Sequence, residues 1–424
     1  MTTEALHALF LKHPKVSTDS RSIPENGIFF ALKGPNFNGN DFAIEALAKG
    51  AAFSVVDEDF PGEPRCIRVA DTLTALQQLA THHRMHSKAR IIGLTGSNGK
   101  TTTKELIAAV LSKKFRTLAT RGNLNNHIGV PLTLLRITRE TEMAVIEMGA
   151  NHQGEIGFLS EIARPDYGYI TNFGKAHLEG FGGVEGVVKG KTELYRFLME
   201  NGGTVFMNAD DPIQVEKLGE YGNQAGFSIT NPAFEVIRNL TGGSTVSLEV
   251  RGREIHTGLI GNYNFTNCAA AAFIGTYFGV PLEGIAEALE AYRSENNRSQ
   301  MLERGQLRIV LDAYNANPTS MAAALEHFAA LDAPRKIIIL GDMFELGADA
   351  ATEHEKIAQL ALQQRPDQLY LVGRNFYETG LPVSRYPDFE SLVSELKARP
   401  IEAPATLLIK GSRGMALERV LEVL

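Results

Sequence analysis

Apolar residues occur along this chain in short runs that stop at polar or glycine-rich turns, and those runs alternate with stretches of helical period. The sharpest example is Ile91-Ile92-Gly93-Leu94-Thr95, read as a strand, then Gly96-Ser97-Asn98-Gly99 as a tight turn. Lys100 then opens a helix carrying Leu106, Ile107, Val110 and Leu111. Upstream, strands are predicted at 27–32 and 52–56 with a helix at 42–49 between them, a small α/β unit covering residues 1–86. Downstream, runs at 143–146, 167–170 and 204–207 lead to Glu147, Thr171-Asn172 and Asn208. Alternation of this kind predicts a largely parallel sheet with its ligands at the carboxyl ends of the strands, in a second unit over 87–298. A third unit, 299–424, repeats the arrangement with strands at 307–311, 336–340, 368–372 and 406–409, ending near Asp312, Gly341-Asp342, Gly373 and Lys410.

The turn at 96–99 carries the strongest chemical signal. Backbone N–H groups around Gly96 and Gly99, with the positive end of the new helix, form a cradle for phosphate. Lys100 is placed to reach the outer phosphates, and the Thr101 hydroxyl to meet the magnesium that accompanies a nucleotide. The match to GxxxxGK(S/T) is imperfect, because Leu94 stands six positions before Lys100 and the glycines fall at 93 and 96. Gly190-Lys191-Thr192 lacks the upstream strand and the spacing, so it is not a second phosphate loop.

Composition narrows the ligand class. The 424 residues predict two to four domains, and a net charge of −7 offers no basic footprint for nucleic acid. Small-molecule partners are expected. Cys66 and Cys268 have no metal-ligand spacing and read as reduced packing residues. The stretch 268–280 is too short and too broken by Thr276 and glycines to span a membrane, and the N-terminus has no leader pattern, so a cytoplasmic protein is expected.

Magnesium takes oxygen ligands and keeps several waters, so it needs one or two carboxylates beside the phosphates. Glu147, at a strand end next to the loop, is a candidate, although its position equally suits a solvated glutamate. His177 could be a ligand, a base or a packing residue, and Lys191 alone reads as an exposed helix lysine. Asp19-Ser20-Arg21 and the loop at 33–39 read by themselves as turns and an exposed salt bridge.

Taken together, Thr95 to Thr102, Gly122-Asn123-Leu124-Asn125-Asn126-His127-Ile128-Gly129-Val130-Pro131, Val145-Ile146-Glu147-Met148-Gly149-Ala150-Asn151 and the run 170–180 resemble the Mur ligases of bacterial cell-wall precursor synthesis. Segments around Asn262, Asn315, Asp342 and Arg413 extend the resemblance over all three units. It implies an α/β fold of three domains: a small N-terminal α/β domain, a central P-loop ATPase-like domain with a parallel sheet, and a C-terminal Rossmann-like domain. The implied reaction is ATP-dependent amide ligation through an acyl phosphate, and the closest motifs are those of members adding D-alanyl-D-alanine to UDP-N-acetylmuramoyl-tripeptide.

Carried over by position, the resemblance places Gly96, Ser97, Asn98, Gly99, Lys100, Thr101 and Thr102 on the ATP phosphates and Asn264 and Asn267 near the adenine. It brings Arg298, Asn315 and Asp342 onto the nucleotide from the third domain. Thr101, Glu147, His177 and Lys191 hold Mg2+, with two ions expected and Lys191 carbamylated; Lys100, Glu147, His177, Lys191 and Arg298 form the catalytic set. Ser20, Arg21 and Asn36 fall where the uridine diphosphate group is held, and Asn125 and Asn126 on the substrate side. The stretch Asn296-Asn297-Arg298 lacks the glycine that many members have before the arginine. A monomer without membrane insertion is expected.

The rival readings are another ligase of the family, adding the third amino acid or of the folylpolyglutamate type, and a P-loop regulatory NTPase. The Asp-Asn-Pro-Arg usual in diaminopimelate-adding members has only Asp332-Ala333-Pro334-Arg335 as counterpart, which differs at its second residue. A guanine-nucleotide switch needs Asn-Lys-x-Asp, which this sequence lacks.

Overall fold

The computed structural model describes residues 1–294, 297–333 and 335–424. Asn296 of the stretch before Arg298, and Pro334 of the Asp332–Arg335 string, lie outside the described residues.

Three main sheets are formed in chain order. The first is parallel and four-stranded, in the order Val16–Ser17, Ile28–Phe30, Phe53–Val56, Cys66–Arg68. Helix Ala43–Ala48 covers one face, burying Ala43, Ala46 and Leu47 against Phe29 and Val56. Helix Thr72–Met85, capped by the Asp71 carboxylate on Thr74 N, packs on the other face and against the N-terminal helix Thr3–Phe10.

The second sheet has nine strands. From one edge they run Arg253–Ile260, Thr245–Val250, Glu235–Asn239, Gln224–Ser228, Thr204–Asn208, Tyr167–Ile170, Arg90–Thr95, Met143–Glu147, Thr117–Ala119. The portion from Glu235–Asn239 to Thr117–Ala119 is parallel. The expected parallel sheet is therefore extended by an antiparallel ribbon, Glu235–Asn239 with Thr245–Val250 and Arg253–Ile260. The ribbon strands alternate buried and open positions, as in Val246, Leu248 and Val250, because only one face meets the core.

Side chains alternate across the central strands and divide two cores. Ile92, Leu94, Met143 and Val145 face helix Lys100–Leu111 and the apolar helix Tyr263–Tyr277, whereas Ile91, Ala144 and Ile146 face the opposite layer. The greasiest stretch of the chain is thus a buried helix packed on a sheet. Among the described residues, no helix is long and apolar enough to cross a membrane.

The third sheet runs Gln300–Arg304, Leu307–Asp312, Ala405–Lys410, Lys336–Gly341, Gln368–Val372, Ser384–Tyr386, parallel except for its first pair.

In the second sheet, the chain leaves Arg90–Thr95 toward one edge and later returns to pair Tyr167–Ile170 on its other side, so the strand order reverses there. A crevice opens at the carboxyl ends beside such a reversal. Leu94 is in register with Glu147 and Thr95 with Ile170, which sets Glu147 and Thr171 on either side of the turn at 96–99.

Helix Thr72–Met85 is fastened to this sheet through Arg84. The buried guanidinium donates to Ala163 O, Arg164 O and Asp166 Oδ2, and Asp166 Oδ2 also accepts from Ile91 N at 2.7 Å. Arg84→Ala should lower stability by about 2 kcal/mol, since it leaves buried carbonyls unpaired. Urea denaturation checks this, and a loss below about 0.5 kcal/mol, the range of an ordinary surface change, would refute the fastening role.

Candidate active site

The turn between strand Arg90–Thr95 and helix Lys100–Leu111 is held open by its neighbours. Gly96 has φ +141°, and a Cβ there would lie 1.9 Å from Thr171 Oγ1; Gly99 has φ +77°, and its Cβ would lie 2.7 Å from Asn267 Oδ1. Thr171 Oγ1 donates to Asn98 O at 2.6 Å, and Asn172 Nδ2 donates to the same oxygen at 3.0 Å. Asn172 Oδ1 accepts from Asn98 N, and Ser97 Oγ donates to Gly174 O. From below, Thr103 Oγ1 donates to Asn267 Oδ1, Asn267 Nδ2 to Asn264 Oδ1, and Asn264 Nδ2 to Ile260 O. The two asparagines thus brace the turn as well as lining the cavity above it.

That cavity, of about 770 Å³, is walled by the second and third sheet units. It collects Ser97, Asn98, Gly99, Lys100, Thr101, Thr102, Asn125, Asn126, Glu147, His177, Asn264, Asn267, Arg298 and Asn315, most of the residues singled out in the sequence.

Lys100 folds back on the turn, its Nζ donating to Gly96 O at 2.8 Å and Ser97 O at 3.3 Å. Burial pushes its ammonium down to about 8, with Glu147 opposing and Arg298 adding to the shift. Glu147 is 1% exposed. Its Oε1 accepts from Thr101 Oγ1 at 3.2 Å and Asn125 Nδ2 at 2.8 Å, but its Oε2 has no hydrogen-bond partner and only the Lys104 ammonium 3.7 Å away. A buried carboxylate oxygen left open beside a threonine hydroxyl fits a hard cation such as Mg2+. Asn125 is itself clamped, since its carbonyl accepts from Gly149 N and a Cβ at Gly149 would strike its side chain at 2.8 Å.

His177 lies on the cavity wall in a left-handed conformation, φ +53°. Its Nδ1 sits against the Glu345 carboxylate of the third unit without being aligned for a hydrogen bond. Lys191 lies just behind the wall, 1% exposed, so the exposed-lysine reading is overturned. Its Nζ has one acceptor, Ala150 O at 3.3 Å, and lies 4.8 Å from the Phe181 ring centre. Burial, and then Lys100, push its ammonium well below the ordinary lysine range against the pull of Glu155 and Glu193. Among the described residues, no anion is paired with the buried Lys191.

Arg298 stacks its guanidinium 3.6 Å from the Tyr314 ring centre at the cavity edge. Asp342 is not on the wall. Its carboxylate accepts from Asn375 N, Asn375 Nδ2 and Phe376 N, capping the helix Arg374–Tyr377, so the structure engages it within the third unit. Ser20, Arg21 and Asn36 also stay off the cavity. Arg21 pairs with Asp19 at 2.9 Å, and Asn36 is exposed in the hairpin of Lys33–Gly34 with Phe37–Asn38.

Sequence reasoning missed several wall or near-wall groups. Lys104 follows Lys100 by one helical turn and so shares its face, a spacing that could have found it. Tyr263, Tyr314 and Thr319 gave no such signal. Asn317 Nδ2 donates to Asn98 Oδ1 at 2.7 Å, Lys175 N to Thr319 Oγ1 at 3.0 Å, and Lys175 Nζ to Glu353 Oε1 at 2.9 Å. These bonds set the third unit against the phosphate turn.

Residues 94–275 match the Mur ligase middle domain, and residues 297–413 match the Mur ligase, glutamate ligase domain. The chain belongs to the Mur ligase family. Among relatives of this Mur ligase, the UDP-N-acetylmuramoyl-tripeptide–D-alanyl-D-alanine ligase of Bacillus subtilis is 35% identical, covering 96% of this chain and 92% of its own. The enzyme of the same name from Escherichia coli is 36% identical, covering 96% and 93%. The crystal structure of MurF from Acinetobacter baumannii superposes with a TM-score of 0.87 at 29% identity, over 99% of this chain and 98% of that one. MurF ligase from Thermotoga maritima, in complex with ADP, gives 0.85 at 27% identity over 98% and 97%.

Gly96→Ala in this Mur ligase should cost about 2–4 kcal/mol, because the turn cannot admit a Cβ. Gly34→Ala, with open space around it, should stay within about 0.5 kcal/mol. Chemical denaturation of both variants checks this, and equal midpoints would show the turn to be compliant.

Proposed function

We propose that this Mur ligase joins D-alanyl-D-alanine to UDP-N-acetylmuramoyl-tripeptide with ATP, giving the pentapeptide precursor of peptidoglycan, ADP and phosphate. The observation that carries this reading is the phosphate turn and Glu147 facing Arg298 and Asn315 across one cavity, in a chain with same-activity relatives matching 96% of its length. The chain works as a cytoplasmic monomer. Its domains span 1–86, holding the uridine diphosphate group near Ser20, Arg21 and Asn36, then 87–298 for ATP, and 299–424 for closure and the incoming dipeptide. One main sheet in each segment supports that division.

A carboxylate is a poor electrophile, so it must first acquire a leaving group. The terminal carboxylate of the bound peptide attacks the γ-phosphorus of ATP, forming an acyl phosphate and releasing ADP. The dipeptide amine then attacks the acyl carbon, and inorganic phosphate and a proton leave as the amide forms. The backbone N–H groups of residues 96–102 and the Lys100 ammonium hold the phosphates, with Lys100 turning from Gly96 O and Ser97 O to a stronger acceptor. Arg298 approaches from the third unit. Thr101, Glu147, His177 and Lys191 would hold two Mg2+ ions; Mg2+ supplies charge neutralisation at the transferring phosphoryl group.

For His177 to serve, its contact with Glu345 must open. Lys191 would bind as its carbamate, and two features support that reading: its burial, which favours the neutral amine that reacts with carbon dioxide, and the lack of a paired carboxylate. The contacts of Asn317, Thr319 and Glu353 with the central unit let the third unit exclude water from the acyl phosphate.

Phosphate release from ATP with UDP-N-acetylmuramoyl-tripeptide should depend on D-alanyl-D-alanine, with a matching mass gain on the nucleotide sugar. Release with a single amino acid and the shorter dipeptide precursor would move the enzyme one step earlier, and release independent of either would refute the ligase reading. Lys191→Ala should lose activity and regain part of it with added formate or acetate; unchanged activity in that variant would remove the carbamate.

A further inference from the structure

Far from the cavity, the last turn of helix Thr72–Met85 and the N-terminal helix Thr3–Phe10 bring four imidazoles together. His82 and His86 stand one helical turn apart on one face, with ring centres 4.3 Å apart; His7 reaches across from the other helix to 4.7 Å from His82 and 5.4 Å from His86. One ring nitrogen from each of these three lies within 4.8 Å of one from each of the others. Nothing in the ligase reaction uses them.

The surrounding hydrogen bonds decide which nitrogens carry protons. His83 Nε2 is 2.8 Å from Ile137 O, a pure acceptor, so it donates there and His83 Nδ1 keeps a lone pair. His7 Nε2, 3.1 Å from that Nδ1, is then the donor, which leaves His7 Nδ1 unprotonated. His86 Nδ1 donates to His82 O at 2.8 Å, leaving His86 Nε2 with its lone pair. The His7, His83 and His86 rings are thus fixed by a carbonyl or a neighbouring imidazole, as the outer partners of metal-bound histidines do. His7 is buried, His82 half-buried and His86 exposed, which leaves an entry path from solvent.

We propose that His7, His82 and His86 form a binding site for a first-row transition-metal ion that favours imidazole, Zn2+, Ni2+ or Cu2+, in which the ion staples the N-terminal helix to helix Thr72–Met85. Three imidazoles with an open side suit such ions and suit Mg2+ or Ca2+ poorly, because hard cations take oxygen ligands. Glu4, on the same face one turn before His7 and within electrostatic reach of His82, or a water supplies the remaining position. The ion would tie the N-terminal helix to helix Thr72–Met85, the one that Arg84 fastens to the central sheet.

The test uses full-length protein without a polyhistidine tag, stripped with chelator and kept in excess Mg2+ so that the carboxylate site near Thr101 does not compete. Titration calorimetry and elemental analysis with Zn2+ and Ni2+ should find one equivalent per chain, and bound metal should raise the melting temperature. His82→Ala and His86→Ala, at accessible positions, should keep the melting temperature of the metal-free protein and weaken binding about tenfold or more. His7→Gln should weaken it likewise. Binding unchanged in both accessible variants, or no equivalent bound by the natural sequence, would overturn the proposal.

Discussion

A phosphate-binding turn points its backbone N–H groups into a cavity, so it cannot hold its own shape through the hydrogen bonds that stabilise helices and strands. Here the shape is imposed from outside. Asn98 O is the anchor, accepting from both Thr171 Oγ1 and Asn172 Nδ2, while Asn264 and Asn267 support the turn from a helix more than 160 residues away in sequence. The two glycines of the turn follow from this, because the bracing side chains occupy the space a Cβ would need. The reversal of strand order beside Arg90–Thr95 delivers Thr171 and Glu147 to opposite flanks of the turn.

The same crowding sets the electrostatics. Lys104 and Lys191 are buried and Lys100 is half-buried; Glu147 lies beside Lys104 and pulls on Lys100, Glu155 and Glu193 pull on Lys191, and Arg298 adds a further positive charge from the third unit. Buried ammonium groups without matching anions are costly, and the lowered positions of Lys100 and Lys191 express that cost. A polyanion entering the cavity relieves it. The proposed phosphate binding would draw on that cost, and the open Glu147 Oε2 would keep one place for a cation among those positive groups.

Polar side chains, besides a shared apolar cluster, set the third unit against the central one. Asn317 reaches Asn98 in the turn itself, Lys175 joins Thr319 and Glu353, and His177 meets Glu345. Because Asn98 both shapes the turn and receives the third unit, the position of that unit is coupled to the loop that holds phosphate.

The sequence by itself determined the most apolar strands of each sheet, the glycine turn and the approximate place of Glu147, because hydrophobic runs, glycine turns and helix starts are properties of a few neighbouring residues. Lys100, Thr101 and Glu147 could be named from such local patterns, and so could the residues that share the family's motifs. Only the tertiary structure decided that Lys191 is buried without an anion, that Asp342 spends its carboxylate on helix Arg374–Tyr377, and that an antiparallel ribbon completes the central sheet. It also brought His7 to His82 and His86 across about 75 positions. Burial and side-chain pairing depend on which distant segment packs overhead, and the period of a single segment carries no information about its partner.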